Sequence, residues 1–154
     1  MVEVSSDCEN HRIRQLAVFL PNRLGALLSL YRSLDAANIK ILGVTVVDAA
    51  DHAVARLVVD QPTLAAQVLK NGGYSFVESE LLGVAFGQDI GIRRVLTAVL
   101  AAEVNIHYVY ALLVSVRQKQ VLAAYVDDPA AAARLLTQRG LELIDQGEFS
   151  SAAD

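Results

Sequence analysis

The chain has 154 residues, 54% of them hydrophobic, with 13 basic against 17 acidic residues and a formal charge of −4. That balance excludes the dense basic stripe of a nucleic-acid-binding surface, and the single cysteine, Cys8, excludes an internal disulfide and a cysteine-cluster metal site. No apolar run reaches the roughly 20 residues of a membrane-spanning helix. The polar, acidic stretch from Met1 to Arg12 has no export signal core, so a cytoplasmic protein is expected.

Residues 1–13 are expected to form a flexible N-terminal segment. Leu16 to Leu20 then reads as a strand, ended by Pro21 and the polar Asn22-Arg23. A helix follows, with Leu24, Leu27, Leu28, Tyr31 and Leu34 at the spacing of one buried stripe. Asn38 stops it, and the β-branched run Ile39 to Val47 is a strand. Asp48 to Asp51 makes a hairpin turn, and His52 to Val59 returns. Asp60 is the expected N-cap of the next helix, with Pro62 early in it and Leu64, Val68 and Leu69 facing inward. Gly72-Gly73 ends that helix, and Tyr74 to Glu80 is the closing strand.

The order then repeats. Leu82 to Phe86 is a strand, Gly91 to Ala102 a helix, and Asn105 to Val116 a strand turning at Arg117-Gln118-Lys119. Gln120 to Asp127 returns, Asp128 to Arg139 is a helix, and Leu141 to Gln146 closes the sheet. Asn38-Ile39 lies 67 residues before Asn105-Ile106, and at that offset Asp60, Pro62, Leu69 and Gly73 fall on Asp127, Pro129, Leu136 and Gly140. Gly25 falls on Gly91 at an offset one shorter. A repeat of this length makes each half one folding unit, 14–80 and 81–149, each a ferredoxin-like βαββαβ sandwich of class α+β. Both helices of a half lie on one face of an antiparallel sheet. The halves are expected to pair side by side into one eight-stranded sheet. Val44 to Val47, Leu57 to Val59 and Ala111 to Val114 are apolar on both faces, so a second copy is expected to cover the open sheet face, giving a homodimer or higher homo-oligomer.

The runs "LPNRLGALLSLYRSLDAANIKI" and "FGQDIGIRRVLTAVLAAEVNIHY" resemble the opening of an ACT domain, twice. From about Gln15 to Gln146 the chain is similar to tandem ACT-domain proteins that carry no attached enzyme. The resemblance implies a non-enzymatic regulatory module that binds a small molecule, an amino acid by expectation, at domain interfaces and acts on an amino-acid biosynthetic enzyme. No cofactor and no metal site is read from the sequence. Carried over by position, one site would use Asn22, Leu24, Gly25, Ala26, Asn38 and Ile39. The other would use Gln88, Ile90, Gly91, Ile92, Asn105 and Ile106. Loop and helix-start N–H groups would hold the effector's carboxylate. The chain departs from the family pattern at Leu24 and Ile90, where proline usually precedes the glycine, and at Gln88, where the second loop usually has Asp.

Plainer explanations stand beside these. A glycine at a helix entry needs no ligand, and an asparagine that ends a helix is explained by its own backbone. Loss of the ligand would leave a structural or interaction module. Arg23 with Asn38 resembles the acylphosphatase pair, but the glycine-rich phosphate cradle is missing, and a solvated loop arginine accounts for Arg23. His11, His52 and His107 show no metal-ligand spacing. His107 lies beside the second site, and Tyr108 and Tyr110 point to one face of their strand, suited to sheet packing.

Overall fold

The computed structural model describes residues 12–21 and 24–149. Asn22, Arg23, Cys8, His11 and nearly all of the N-terminal segment lie outside the described residues. The chain divides into two compact units, one spanning Arg14–Ser79 and the other starting at Glu80 and taking in Ile13.

In the first unit the order is β1 (Ile13–Pro21), α1 (Ala26–Ala36), β2 (Ile41–Asp48), β3 (His52–Val59), α2 (Pro62–Asn71) and the start of β4 (Ser75–Phe86). Its strands run β2-β3-β1-β4, with Leu16 opposite Leu57 and Val44 opposite Leu57 on its other side. Leu16, Val18 and Leu20 alternate inward from β1 and meet Leu30 and Leu34 of α1 and Ala65 and Leu69 of α2.

The second unit uses the rest of β4, then α3 (Ile92–Ala101), β5 (Ile106–Val116), β6 (Lys119–Val126), α4 (Pro129–Gln138) and the two-residue β7 (Leu143–Ile144). Its order is β7-β4-β6-β5, over a core of Leu82, Val84, Val95, Val99, Leu122 and Leu136. Each unit is the expected ferredoxin-like sandwich. Among the described residues there are seven strands rather than eight. Between Glu80 and Leu81 no glycine, proline or turn residue interrupts the extended chain, so one strand closes the first half and opens the second.

Several local expectations are corrected. Helix α1 does not bury the stripe Leu24, Leu27, Leu28 and Tyr31. It buries Leu30 and Leu34, while Leu24 is fully exposed and Leu28 is half so. Leucines on both sides of α1 offer two stripes, and the core takes the one continued by Ala26. In α2 the inward residues are Ala65 and Leu69, with Leu64 exposed. Gln61, not Asp60, occupies the N-cap, since Pro62 opens the helix. Asp60 instead accepts the Lys40 N–H through Oδ1 at 2.9 Å. The apolar excess is also partly absorbed by the chain itself, for Val58, Leu112 and Val114 are buried.

The β5–β6 hairpin turns through Arg117 (φ 49°) and Gln118 (φ 64°), the doubly left-handed pattern that suits the twist of two paired strands. Arg117 pairs with Glu142 and, at 2.5 Å, with Glu148, and Lys119 reaches Glu142 at 2.7 Å. The Lys119 ammonium, then the Arg117 guanidinium, hold the Glu142 carboxyl below the usual carboxylate range. A carboxylate lowered in the folded state stabilises above its unfolded pKa of roughly 4.3 and loses that contribution as pH falls through the lowered value. The urea midpoint is therefore expected to drop between about pH 7 and about pH 3. Glu142→Gln should flatten that drop by about 1 kcal/mol or less, and an unchanged pH profile would show these ion pairs to be idle. No helix among the described residues is long and apolar enough to cross a membrane.

Candidate functional site

The two loops that the repeat makes equivalent have different backbones. Strand β1 ends at Pro21, and Gly25 enters α1 at φ 85° and ψ −4°. A Cβ built there would meet nothing within 4 Å, so the left-handed backbone and not space calls for glycine. The Gly25 carbonyl accepts the Ser29 N–H at 2.9 Å. Among the described residues no side chain caps α1, so its first N–H groups are open to an acceptor from elsewhere. Leu20, Pro21, Leu24, Gly25, Ala26, Ser29 and Tyr74 line a cavity of about 390 Å³ at this point. An apolar groove of about 620 Å³ adjoins it through Leu24, Gly25 and Ala26 and continues along Leu28 and Tyr31 to Val44.

In the second loop the Gly87 N–H donates to the Ile90 carbonyl at 2.8 Å, closing Gln88 and Asp89 into a turn. Gly91 is extended, at φ −73° and ψ 161°, a conformation open to any residue. Ile90 packs against the core of its unit, while Gln88 and Ile92 are exposed. Arg93 and Arg94 stand in the first turn of α3, where cations oppose the helix dipole and an anion would be favoured.

The asparagines also part company. Asn38 sits at φ 61°, and the Ile39 N–H reaches back to the Leu34 carbonyl at 3.1 Å, so Asn38 ends α1 as a left-handed stop. Its carbonyl accepts from Gln61 Nε2 at 3.3 Å, and the Ile39 side chain is buried in the core. In the second half the left-handed stop is Glu103, at φ 55°. Ile106 pairs with Val126 as Ile41 pairs with Val59. Asn105-Ile106 is thus the structural counterpart of Lys40-Ile41, and the match to Asn38-Ile39 is one of sequence only. The Asn105 side chain donates to Asp127 Oδ2 at 2.6 Å.

Asp127 also pairs with His107 Nε2, a bond to which no sequence pattern points. Asn105 first, and then His107, hold the Asp127 carboxyl below its ordinary range. A register shift between Ile106 and Tyr108 lets His107 lie 5.3 Å from the Tyr125 ring while Tyr108 stacks on it at 5.1 Å. Tyr108 and Tyr110 are stacked at 6.5 Å, as their spacing predicts. Asn105, Asp127 and Asp128 border a cavity of about 200 Å³, apart from the second loop's Gly87–Ile90 turn. Of the twelve residues carried over by position, the structure gathers Leu24, Gly25 and Ala26 around one cavity and Gln88, Ile90, Gly91 and Ile92 along one turn. Asn38, Ile39, Asn105 and Ile106 belong to helix and strand termini, and Asn22 lies outside the described residues. Among those described, no group of three or more His, Cys, Asp or Glu side chains is placed to hold a metal ion.

Comparison with known proteins agrees with this architecture. The crystal structure of protein BT0572 from Bacteroides thetaiotaomicron superposes with a TM-score of 0.81 at 20% identity, covering 92% of this chain and 97% of that one. The ligand-free regulatory subunit of aspartate kinase from Thermus thermophilus gives 0.56 at 12% identity, over 85% and 94%. Its Thermus flavus equivalent gives 0.53 at 12% identity, over 84% and 92%. At these identities the likeness is one of fold. A search of curated proteins found no match. The sequence profile of the ACT domain pair covers residues 11–153, and the chain belongs to that family.

Proposed function

We propose that this chain is a non-enzymatic cytoplasmic sensor that holds a small amino acid beside its first loop and answers by changing how it associates. The observation that carries the reading is the cavity of about 390 Å³ at the start of α1. It combines helical N–H groups that no described side chain caps, suited to a carboxylate, with Leu20, Leu24 and Tyr74 to receive apolar atoms. Membership of the ACT domain pair family supports a regulatory, small-molecule-binding role. The similar Thermus thermophilus chain is the regulatory subunit of aspartate kinase, which supports a separate biosynthetic enzyme as the regulated partner. Homo-oligomerisation enters by linkage: an effector that completes its site in an assembly favours that assembly by its differential affinity and no more.

The test is a thermal-unfolding screen against the twenty amino acids, with mass followed by light scattering. One amino acid is expected to raise the midpoint saturably, and calorimetry should then give a stoichiometric binding isotherm. A flat screen on protein with a cooperative transition would sink the sensor reading in favour of an interaction module without a ligand.

A further inference from the structure

We propose that Tyr74 sets the size of side chain the first-loop cavity accepts, and that Gly72 is a positioning residue that keeps its ring in place. This rests on the sensor reading, since it supposes that the cavity takes the effector, and it adds which group selects among effectors.

Helix α2 ends in a pair of backbone bonds. The Gly73 N–H donates to the Lys70 carbonyl at 3.2 Å, and the Tyr74 N–H donates to the Leu69 carbonyl at 3.0 Å. With Gly73 left-handed at φ 76°, this is a Schellman stop, which calls for glycine at that one place. Gly72 is not explained in this way. Its φ of −79° and ψ of −2° are right-handed and open to any residue.

Gly72 provides clearance instead. A Cβ there would lie 3.1 Å from both Cδ2 and Cε2 of Tyr74, inside the roughly 3.5–4.0 Å of carbon atoms in contact. The ring therefore rests over the bare Gly72 backbone. It packs against the core of the first unit and forms one wall of the cavity of about 390 Å³, together with Leu20, Gly25 and Ser29.

The second half supplies an internal control. Helix α4 ends in the same two bonds, Gly140 N–H to the Thr137 carbonyl at 3.0 Å and Leu141 N–H to the Leu136 carbonyl at 3.1 Å. Gly140 is again left-handed, at φ 81°. Arg139 stands at the place of Gly72, however, and Leu141 at that of Tyr74. The helix stop thus accepts a side chain where Gly72 has none, and the second glycine accompanies the tyrosine. An effector whose carboxylate takes the N–H groups of α1 is then limited in side-chain size by the ring, since an apolar wall discriminates down to single methylenes.

The experiment titrates each of the twenty amino acids into the full chain by calorimetry, with Tyr74→Leu, Tyr74→Phe, Gly72→Ala and the double variant Gly72→Ala/Tyr74→Leu alongside. Circular dichroism checks that each is folded. Tyr74→Leu is expected to raise the affinity ratio of large over small apolar side chains at least about tenfold, the scale of one methylene. Tyr74→Phe keeps the ring and should keep the order of affinities. Gly72→Ala should alter the order while Tyr74 is present and add nothing beside Tyr74→Leu, the coupling expected of a residue acting through the ring. If Tyr74→Leu does not fold, Gly72→Ala decides alone, and an unchanged order overturns the proposal. An unmoved order in folded Tyr74→Leu, an equal loss for every amino acid, or additive effects of the two substitutions would each overturn it and leave the sensor reading standing. A wild-type chain that binds none of the twenty overturns both.

Discussion

Phe149→Ala is expected to cost about 3–5 kcal/mol, read as a lower urea midpoint at unchanged slope. The side chain is fully buried, and the backbone that carries it is fixed from several directions. Asp145 and Glu148 form a reciprocal capping box around the 3-10 turn Gln146–Glu148. The Gln146 N–H donates to the Arg12 carbonyl at 3.1 Å, and Arg117 holds Glu148. A phenylalanine removed from a site so constrained leaves a cavity that its surroundings cannot readily collapse to fill, which is the condition for the upper part of that range. Strand β7 has only two residues, and the chain returns to the interior at Phe149. A loss below about 0.5 kcal/mol, the ordinary range of surface changes, would show that the ring is not seated as described.

This segment also shows where the sequence stops being legible. The repeat predicts a strand over Leu141 to Gln146, yet it shortens to Leu143–Ile144. Nothing in the polar run Asp145-Gln146-Gly147-Glu148 marks the next residue as core. Periodicity identified the strands and helices well because alternation and the helical repeat are properties of the chain itself. It failed for the buried face of α1, where Leu27, Leu28, Leu30 and Leu34 satisfy two stripes and only packing chooses between them. The Asn38 and Asn105 correspondence failed for a related reason. The second hairpin is longer than the first, with β5 at 11 residues against 8 for β2, so an ungapped alignment matched residue types while the backbone equivalence had shifted by two places. The loop glycines were found by the repeat, but their dihedral angles were not, since glycine permits both of the conformations observed.

That last difference leads to a contrast within one molecule. Gly25→Val is expected to cost about 1–2 kcal/mol, the price of a left-handed backbone for a residue with a Cβ, and more if the helix entry cannot relax. Gly91→Val should cost less, about 0.5–1 kcal/mol for an apolar residue at an N-cap, because its backbone is extended and a Cβ meets nothing within 4 Å. Both glycines are helix N-caps with open space for a Cβ, so the comparison isolates backbone conformation. The same pair separates the loops in function. Gly25 lines the cavity at the start of α1, and reshaping that entry moves the N–H groups proposed to hold a carboxylate. Effector affinity should therefore fall in Gly25→Val and persist in Gly91→Val, measured by calorimetry at a temperature where both variants are folded. Equal stability losses would contradict the backbone geometry. A selective loss of affinity in Gly91→Val would move the effector to the second loop, with Arg93 and Arg94 in its first helical turn as the basic groups available to it.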